Sequence, residues 1–207
     1  MRNTLITVLG IIVLAAPVAA SMQITEWMYK GDDGEFIEFT NTGIDPVDMT
    51  GWSFSDDARY PGDVMLSDFG TVQPGESVIL CEDPAETFRA NWGLVETVKV
   101  IGGNQANIGR NDEINLYDAG SLQIDRLTYG DEDFDDSIRT NGVSGNPATP
   151  ATLGANDVYQ WVEAELGDAF GSYTGAHGDV ANPGTYVPEP TSLVLMAVAG
   201  LGLARRR

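Results

Sequence analysis

Glycine, proline, asparagine and aspartate interrupt the chain at short intervals, so its apolar residues fall into brief segments separated by turns. Residues 35–40 alternate apolar and polar side chains with the period of two that is typical of a half-buried strand. Many short strands separated by turns favour an all-β sandwich or barrel. The predicted strands are 22–29, 35–40, 52–55, 77–81, 113–117 and 122–129, the last two forming a hairpin with Gly120 at a positive φ angle.

One helix and one long loop interrupt this pattern. Asp83 is a good N-cap, Pro84 suits the first helical position and Glu86 completes a capping box, which predicts a short helix. Residues 137–156 are rich in Gly, Pro, Ser, Thr and Asn and predict a loop. A last strand is predicted over 158–164. The sequence therefore predicts a β-sandwich with one short helix.

The N-terminal residues are typical of a secretory signal peptide. Arg2 gives a positive start, residues 5–16 carry no charge, and small residues precede Ser21. This order predicts cleavage between Ala20 and Ser21. The alternative is a permanent anchor helix, although twelve uncharged residues are few for a hydrocarbon core about 30 Å thick.

The C-terminal residues have a second, different order. The tripeptide Pro188-Glu189-Pro190 comes first, the uncharged run 193–204 follows, and Arg205, Arg206 and Arg207 end the sequence. Basic residues beside an apolar run stay on the cytoplasmic side of a membrane, so the arginines act as a stop there. The two prolines fix their φ angles and keep the tripeptide extended.

This C-terminal order resembles the PEP-CTERM sorting signal of Gram-negative bacteria. The resemblance implies recognition by an exosortase, a membrane-bound cysteine transpeptidase that removes the tail near the motif. The expected partners in export are this enzyme, the Sec translocon and signal peptidase, with transient anchoring in the inner membrane through segment 193–204. A plain tail anchor is the alternative.

The central part of the chain resembles a lamin-tail domain over residues 22 to 130, with a weaker match to 186. The resemblance implies an immunoglobulin-like β-sandwich whose bacterial members tether or bind rather than catalyse. We expect a signal peptide at 1–20, this domain at 21–186 and the sorting tail at 187–207. The motifs that carry the resemblance are Ile24-Thr25-Glu26, Phe36-Ile37-Glu38-Phe39-Thr40-Asn41, 47–56, Pro74-Gly75-Glu76, 111–118 and Asn182-Pro183-Gly184.

Charge excludes one class of partner. Residues 21–188 contain seven basic and thirty acidic side chains, a net charge near −23. Such a polyanion repels the phosphates of nucleic acids and anionic lipids. Cys81 is the only cysteine and His177 the only histidine, too few for a usual zinc site. Cys81 lies in an apolar strand and is interpreted as a small core residue.

Several residues are candidates for ligand contacts. Calcium prefers carboxylate oxygens, and Asp131, Asp133 and Asp135 lie in the densest acidic run, although without EF-hand spacing. Glu26 and Glu38 are interpreted either as facing outward or bonding to loop amides, or as lining a binding surface. Four aromatic residues are candidates for contacts to a polysaccharide: Trp27, Tyr29, Tyr60 and Trp92.

The sequence favours a non-catalytic exported protein of the cell surface or extracellular matrix in a Gram-negative-type bacterium. Its acidic sandwich would serve adhesion or matrix association. Two alternatives stay open. The first is a carbohydrate-binding module for exopolysaccharide, which requires aromatic side chains on one exposed face. The second is a secreted hydrolase with paired carboxylates in a cleft.

Overall fold

Short strands with β-branched and aromatic residues form the framework of residues 22–188, the part of the chain that the computed structural model describes. A single α-helix, α1, spans Ala85–Trp92 in this part, and 3-10 turns lie at Ser67–Phe69, Pro150–Thr152 and Val158–Gln160. The strands are β1 (Met22–Met28), β2 (Phe36–Asn41), β3 (Val47–Asp48), β4 (Ser53–Ser55), β5 (Val64–Met65), β6 (Thr71–Val72), β7 (Ser77–Cys81), β8 (Lys99–Ile101), β9 (Asp112–Tyr117), β10 (Gln123–Tyr129), β11 (Gly145–Pro147), β12 (Trp161–Glu163), β13 (Tyr173–Thr174) and β14 (Val180–Ala181).

The strands form two main sheets. The six-stranded sheet has the order β12-β11-β1-β2-β7-β8, and the four-stranded sheet has the order β10-β9-β4-β5. All neighbours in both sheets are antiparallel except β7 and β8. Two further pairs, β13-β14 and β3-β6, are two-stranded ladders. The predicted β9-β10 hairpin is confirmed, but Ser121 rather than Gly120 has the positive φ angle.

The main core lies between the two sheets. Ile37 and Phe39 of β2 face Phe54 and Leu116 of the smaller sheet within one apolar cluster. Alternate residues of each strand enter this cluster because successive side chains point to opposite faces. The rings of Trp27 and Tyr129 bridge the sheets, with centroids 3.8 Å apart. The core thus confirms the predicted β-sandwich.

The six-stranded sheet is also covered on its second face. Phe36, Ile79 and Cys81 pack there against Phe88 and Trp92 of α1. As a result every residue of β2 is buried, including those that an amphipathic strand would expose. The alternation that predicts a half-solvated strand is therefore misleading here, because the helix and later segments shield the second face.

Helix α1 begins one residue later than its sequence signals predict. Pro84, not Asp83, occupies the N-cap position, and no side-chain capping hydrogen bond forms. The predicted capping box is wrong, because Pro84 at φ −53 and ψ 135 is extended and shifts Glu86 to the second helical position. The helix ends at Gly93, whose left-handed conformation allows its N–H to reach Ala90 and Arg89.

Two predicted boundaries in the later part of the chain are wrong. Strand β11 lies inside the predicted loop 137–156 and pairs with β1 and β12. The predicted strand 158–164 is divided into a 3-10 turn and β12, since the Asp157 carboxylate accepts the Tyr159 N–H at 3.2 Å. Gly and Asn have low strand propensity, so composition hides β11.

Some predicted segments lie outside the described residues. They are the signal peptide with its Ala20–Ser21 cleavage site, the apolar segment 193–204, and the residues Glu189, Pro190, Arg205, Arg206 and Arg207. Within residues 22–188 no helix has the length and apolarity needed to cross a membrane.

Gly145 is expected to be a sensitive position of β11. A Cβ atom there would lie 2.8 Å from Ile138 Cδ1 and 3.1 Å from Trp27 Nε1. We predict that Gly145→Ala destabilises the domain by about 1–3 kcal/mol through overpacking. Urea unfolding of this variant checks the prediction, with Gly109→Ala as control because its nearest contact is an ordinary 3.4 Å. Equal stability of the two variants would contradict it.

Candidate functional site

Two glutamates stand opposite each other at the centre of the six-stranded sheet. Glu26 of β1 is the register partner of Glu38 of β2. Both side chains lie on the face turned away from the smaller sheet, and both are 0 % exposed. A β-bulge between Ile24 and Glu26 shifts the register and brings this pair together. The sheet thus holds two carboxyl groups without contact with solvent.

The carboxyl oxygens of the two glutamates accept hydrogen bonds from the backbone of residues 182–184. Glu26 Oε1 accepts the N–H of Asn182 at 2.8 Å and the hydroxyl of Ser144. Glu38 Oε2 accepts the N–H of Gly184 at 2.7 Å. Glu26 Oε2 is buried and has no hydrogen-bond partner among residues 22–188. The pair therefore anchors a distant segment whose backbone donors would otherwise be buried without acceptors.

A ladder of hydroxyl groups supports Glu38. Thr25 Oγ1 donates to Glu38 Oε1 at 2.7 Å, and Thr40 and Ser77 continue the row across neighbouring strands. These small polar residues alternate with core residues along their strands, which gives the second face a polar stripe. The stripe satisfies the buried carboxyl group without opening it to water.

Burial changes the protonation of both glutamates. Loss of hydration raises the pKa of Glu26, the charge of Glu38 raises it further, and the hydrogen bonds from Asn182 and Ser144 oppose this. Burial also raises the pKa of Glu38, against the hydrogen bonds from Thr25 and Gly184. Two adjacent buried carboxylates repel when both are ionised. The pair is therefore expected to retain a proton where exposed carboxyl groups have lost theirs.

The contacts decide between the interpretations of this pair. The prediction that Glu26 and Glu38 face outward is wrong, because both are fully buried and hydrogen-bonded to residues 182–184. The other part of that interpretation, hydrogen bonding to loop amides, agrees with the contacts to Asn182 and Gly184. With no exposed surface the two glutamates do not line a binding surface for a soluble ligand.

Glu38→Ala is expected to destabilise the domain by about 3 kcal/mol, because it leaves the Gly184 N–H without its acceptor, removes the carboxyl acceptor of the Thr25 hydroxyl and opens a cavity in the buried face. Glu38→Gln keeps one acceptor oxygen and removes the like-charge repulsion, so it should cost less than half as much. Urea unfolding of both variants measures the difference. If Glu38→Ala unfolds with wild-type stability, the proposed anchoring role is wrong.

The anchored segment continues along the domain toward the sorting motif. We call residues 182–188 the strap. Gly184, at φ +89, lies against Val98 and Leu94, and Tyr186 is half-buried. Tyr186 and Pro188 line a mainly apolar groove of about 510 Å³ together with Gly75, Pro150 and Leu153. The first residue of the sorting tripeptide therefore lies at the surface of the folded domain.

Cys81 and His177 have separate partners. Cys81 is buried, its Sγ lies 3.3 Å from the Asp83 carbonyl oxygen, and burial raises its pKa to about 12. His177 Nδ1 lies 2.9 Å from Asp33 Oδ1, and the His177 N–H donates to the same carboxylate. Cys81 and His177 therefore do not form a dyad. Cys81 has the core position predicted for it.

The predicted aromatic face is not formed. Trp27 is 0 % exposed, Trp92 2 % and Tyr29 8 %, because each fills one of the two apolar layers of the six-stranded sheet or its edge. Tyr60 is 70 % exposed and is the member of this group that can contact a ligand. The prediction of four exposed aromatic residues is therefore wrong for three of them.

The acidic run after β10 is mainly a solvated loop. The Asp131 carboxylate pairs with the guanidinium of Arg110, while Asp133 and Asp135 are exposed. Within residues 22–188 no three His, Cys, Asp or Glu side chains converge as metal ligands would. Calcium binding at Asp131, Asp133 and Asp135 thus stays a prediction that the geometry does not support.

Two further carboxyl groups, which the sequence does not single out, have shifted protonation. Glu35 is 8 % exposed, burial raises its pKa to about 8, and its Oε1 accepts the Ile108 N–H at 2.9 Å. It lines an open pocket of about 420 Å³ with Glu82 and Asp83. Burial also raises the pKa of Asp125 to about 6, although the Ile24 N–H donates to it.

Stability is expected to fall as pH rises from 5 to 8.5. The pKa of Glu35 is near 4.3 in the unfolded chain and about 8 in the folded one; that of Asp125 is near 3.9 unfolded and about 6 folded. Protonation of both groups therefore stabilises the folded state, and this contribution is lost as pH rises through their folded pKa values. Glu113 acts oppositely, since Arg59 lowers its pKa to about 2, but its contribution is lost only in acid below pH 5.

The melting temperature across this pH range measures the effect. Glu35→Gln should make the decrease between pH 5 and 8 smaller, whereas the exposed control Glu165→Gln should leave the pH profile unchanged. A melting temperature that rises between pH 5 and 8.5 would contradict the prediction.

The two sheets define an immunoglobulin-like β-sandwich, and the strap is followed in the sequence by the rest of a Pro-Glu-Pro tripeptide. Comparison with known families identifies both parts. The Lamin Tail Domain matches residues 15–131, more than half of the chain, and the PEP-CTERM protein-sorting motif matches residues 187–207. The chain belongs to the lamin tail domain family. No curated protein matches it.

These matches establish the outline of the biology. The lamin tail domain is an immunoglobulin-like domain of a non-catalytic family, and the sorting motif marks an exported cell-surface protein that an exosortase processes. The two matched regions leave residues 132–186 between them. The structure shows that this interval supplies β11, β12 and most of the strap.

The sequence indicates the acceptors of the strap's hydrogen bonds but not their donors. Glu26 and Glu38 are visible as acidic residues within predicted strands, but their partners are the backbone N–H groups of Asn182 and Gly184. Every non-proline residue has such a group, so sequence has no signal for it. The alternating Thr and Ser residues of neighbouring strands are the signal that could have indicated a polar second face.

Proposed function

We propose that this protein is a non-catalytic component of the extracellular matrix, retained there through its acidic surface after exosortase processing. The observation that carries the proposal is the distribution of surface charge. Within residues 22–188 the exposed basic residues are Lys30, Arg59 and Arg139, and exposed acidic residues far outnumber them. Arg59 is moreover paired with Glu113.

A surface of this kind suits cation-mediated association. An anionic domain and an anionic exopolysaccharide repel directly but can share divalent cations, which prefer carboxylate oxygens. Such bridging needs many exposed carboxylates rather than one built site. The exposed loop with Glu132, Asp133 and Asp135 provides the greatest density of them.

The proposal includes the processing steps and the domain boundaries. Export through the Sec translocon and cleavage by signal peptidase between Ala20 and Ser21 would leave residues 21–186 as one domain. Exosortase would then remove the tail near Pro188-Glu189-Pro190, with segment 193–204 holding the precursor in the inner membrane. The pairing of β11 with β1, and of β12 with β11, supports including residues beyond the family match.

A carbohydrate-binding module is the second candidate. Tyr60 stands exposed beside an open cleft of about 410 Å³ that also contains Asp56, Asp63 and Gln105. An aromatic ring with carboxylate and amide groups nearby is suited to a sugar. One exposed ring is a smaller platform than the four predicted, so this candidate ranks below matrix retention through charge.

Retention in the matrix tests both candidates. We expect processed protein in the matrix fraction of its own cells, with an intact mass that fits Ser21 to near Pro188, and its release by a divalent-cation chelator. The triple variant Glu132→Gln, Asp133→Asn, Asp135→Asn should be retained several-fold less. The charge-preserving control Glu132→Asp, Asp133→Glu, Asp135→Glu should behave as wild type.

The outcomes separate the two functions. If the neutral and charged triple variants are retained equally and Tyr60→Ala is lost from the matrix, carbohydrate binding replaces the charge mechanism. If wild-type protein is found wholly in the medium with its tail removed, matrix retention is wrong in either form.

A further inference from the structure

The strap leaves almost no free chain between the folded domain and the sorting motif. Its last backbone anchor is the hydrogen bond from Gly184 to Glu38, at 2.7 Å. Pro188 begins the tripeptide four residues later, and four extended residues span at most about 14 Å. Tyr186, halfway along this stretch, is half-buried and forms a wall of the groove together with Pro150 and Leu153, which restricts the chain further.

A transpeptidase has a different requirement. Peptide-binding enzymes hold their substrates as extended chains, with backbone hydrogen bonds and side-chain pockets on either side of the reacting bond. Cleavage near Pro188 therefore requires access to residues 185–188. In the folded domain Tyr186 and Val187 are partly buried and the strap is fixed at Gly184, so the domain and the enzyme need the same stretch of chain.

We propose that the strap is an inhibitory contact, and that it must detach from the domain before the sorting enzyme can process the chain. Opening the strap breaks the hydrogen bonds of Asn182 and Gly184 to the paired glutamates and exposes Tyr186. The fraction of molecules with an open strap then sets the rate of processing. This inference rests on exosortase processing and is independent of the proposed matrix retention.

Gly184 allows the strap to be weakened without altering the sheet. Its φ of +89 is a conformation that residues with a side chain rarely adopt, and an added Cβ would lie 3.3 Å from Val98 Cγ1. Gly184→Ala should therefore favour the open strap. Gly167→Ala is the matched control, because Gly167 has φ +83, lies in an exposed loop and has no atom within 4 Å of the added Cβ.

A second variant leaves the strap contacts intact. Inserting Gly-Ser-Gly-Ser between Tyr186 and Val187 keeps the matched sorting motif of residues 187–207 whole and gives the enzyme free residues upstream of it. This variant separates the effect of access from any effect on the stability of the domain. Hydrogen exchange at the Asn182 and Gly184 amides of each purified full chain reports strap opening directly.

The test is a pulse-chase measurement of tail removal in cells that carry the cognate sorting enzyme. We expect Gly184→Ala to be processed about five-fold faster than wild type. The inserted chain should be processed at least as fast as Gly184→Ala, and Gly167→Ala at the wild-type rate. Unchanged processing of the inserted chain would overturn the proposal. Slower processing of it would also overturn the proposal and show that the rim of the groove assists the enzyme. If no variant and no wild-type chain loses its tail, exosortase processing itself fails.

Discussion

The burial of strand β2 on both faces is the constraint on which the rest of the structure depends. Ile37 and Phe39 close the core between the sheets, whereas Phe36 and Glu38 need cover on the opposite side. A buried carboxyl group is costly unless it is hydrogen-bonded. The second face therefore requires both an apolar helix and a segment that brings backbone donors. Helix α1 meets the first need and the strap meets the second.

This arrangement links the two ends of the domain. The family match ends at residue 131, but the glutamates within it accept hydrogen bonds from backbone groups some 150 residues later in the chain. Closing such a long loop costs conformational entropy, and that cost is offset only when the whole sandwich is formed. The integrity of the central strands and the position of the sorting motif are consequently parts of one folding event.

Buried and exposed acidic residues have different roles in this protein. The buried carboxyl groups of Glu26, Glu38 and Glu35 are hydrogen-bonded and shifted toward protonation. The remaining acidic residues are mostly on the surface, where water screens their repulsion. The interior acids thus organise the fold, and the exterior acids determine how the exported protein meets its surroundings. Surface carboxylates can vary without disturbing the anchoring of the strap.

The sequence by itself determined the class of fold, the sorting tail, and six of the ten strands over residues 22 to 129 within a residue or two; the short strands β3, β5, β6 and β8 were not predicted. These follow from local periodicity and from the order of residues, which need no knowledge of distant contacts. Only the tertiary structure decided that Trp27 and Trp92 are core residues, that Gly145 belongs to a central strand, and that Glu26 and Glu38 are covered. Burial depends on which segments pack over a strand, and backbone donors are identical in every residue. Neither property is written in the local sequence, so the strap and its anchors emerge only when the chain is folded.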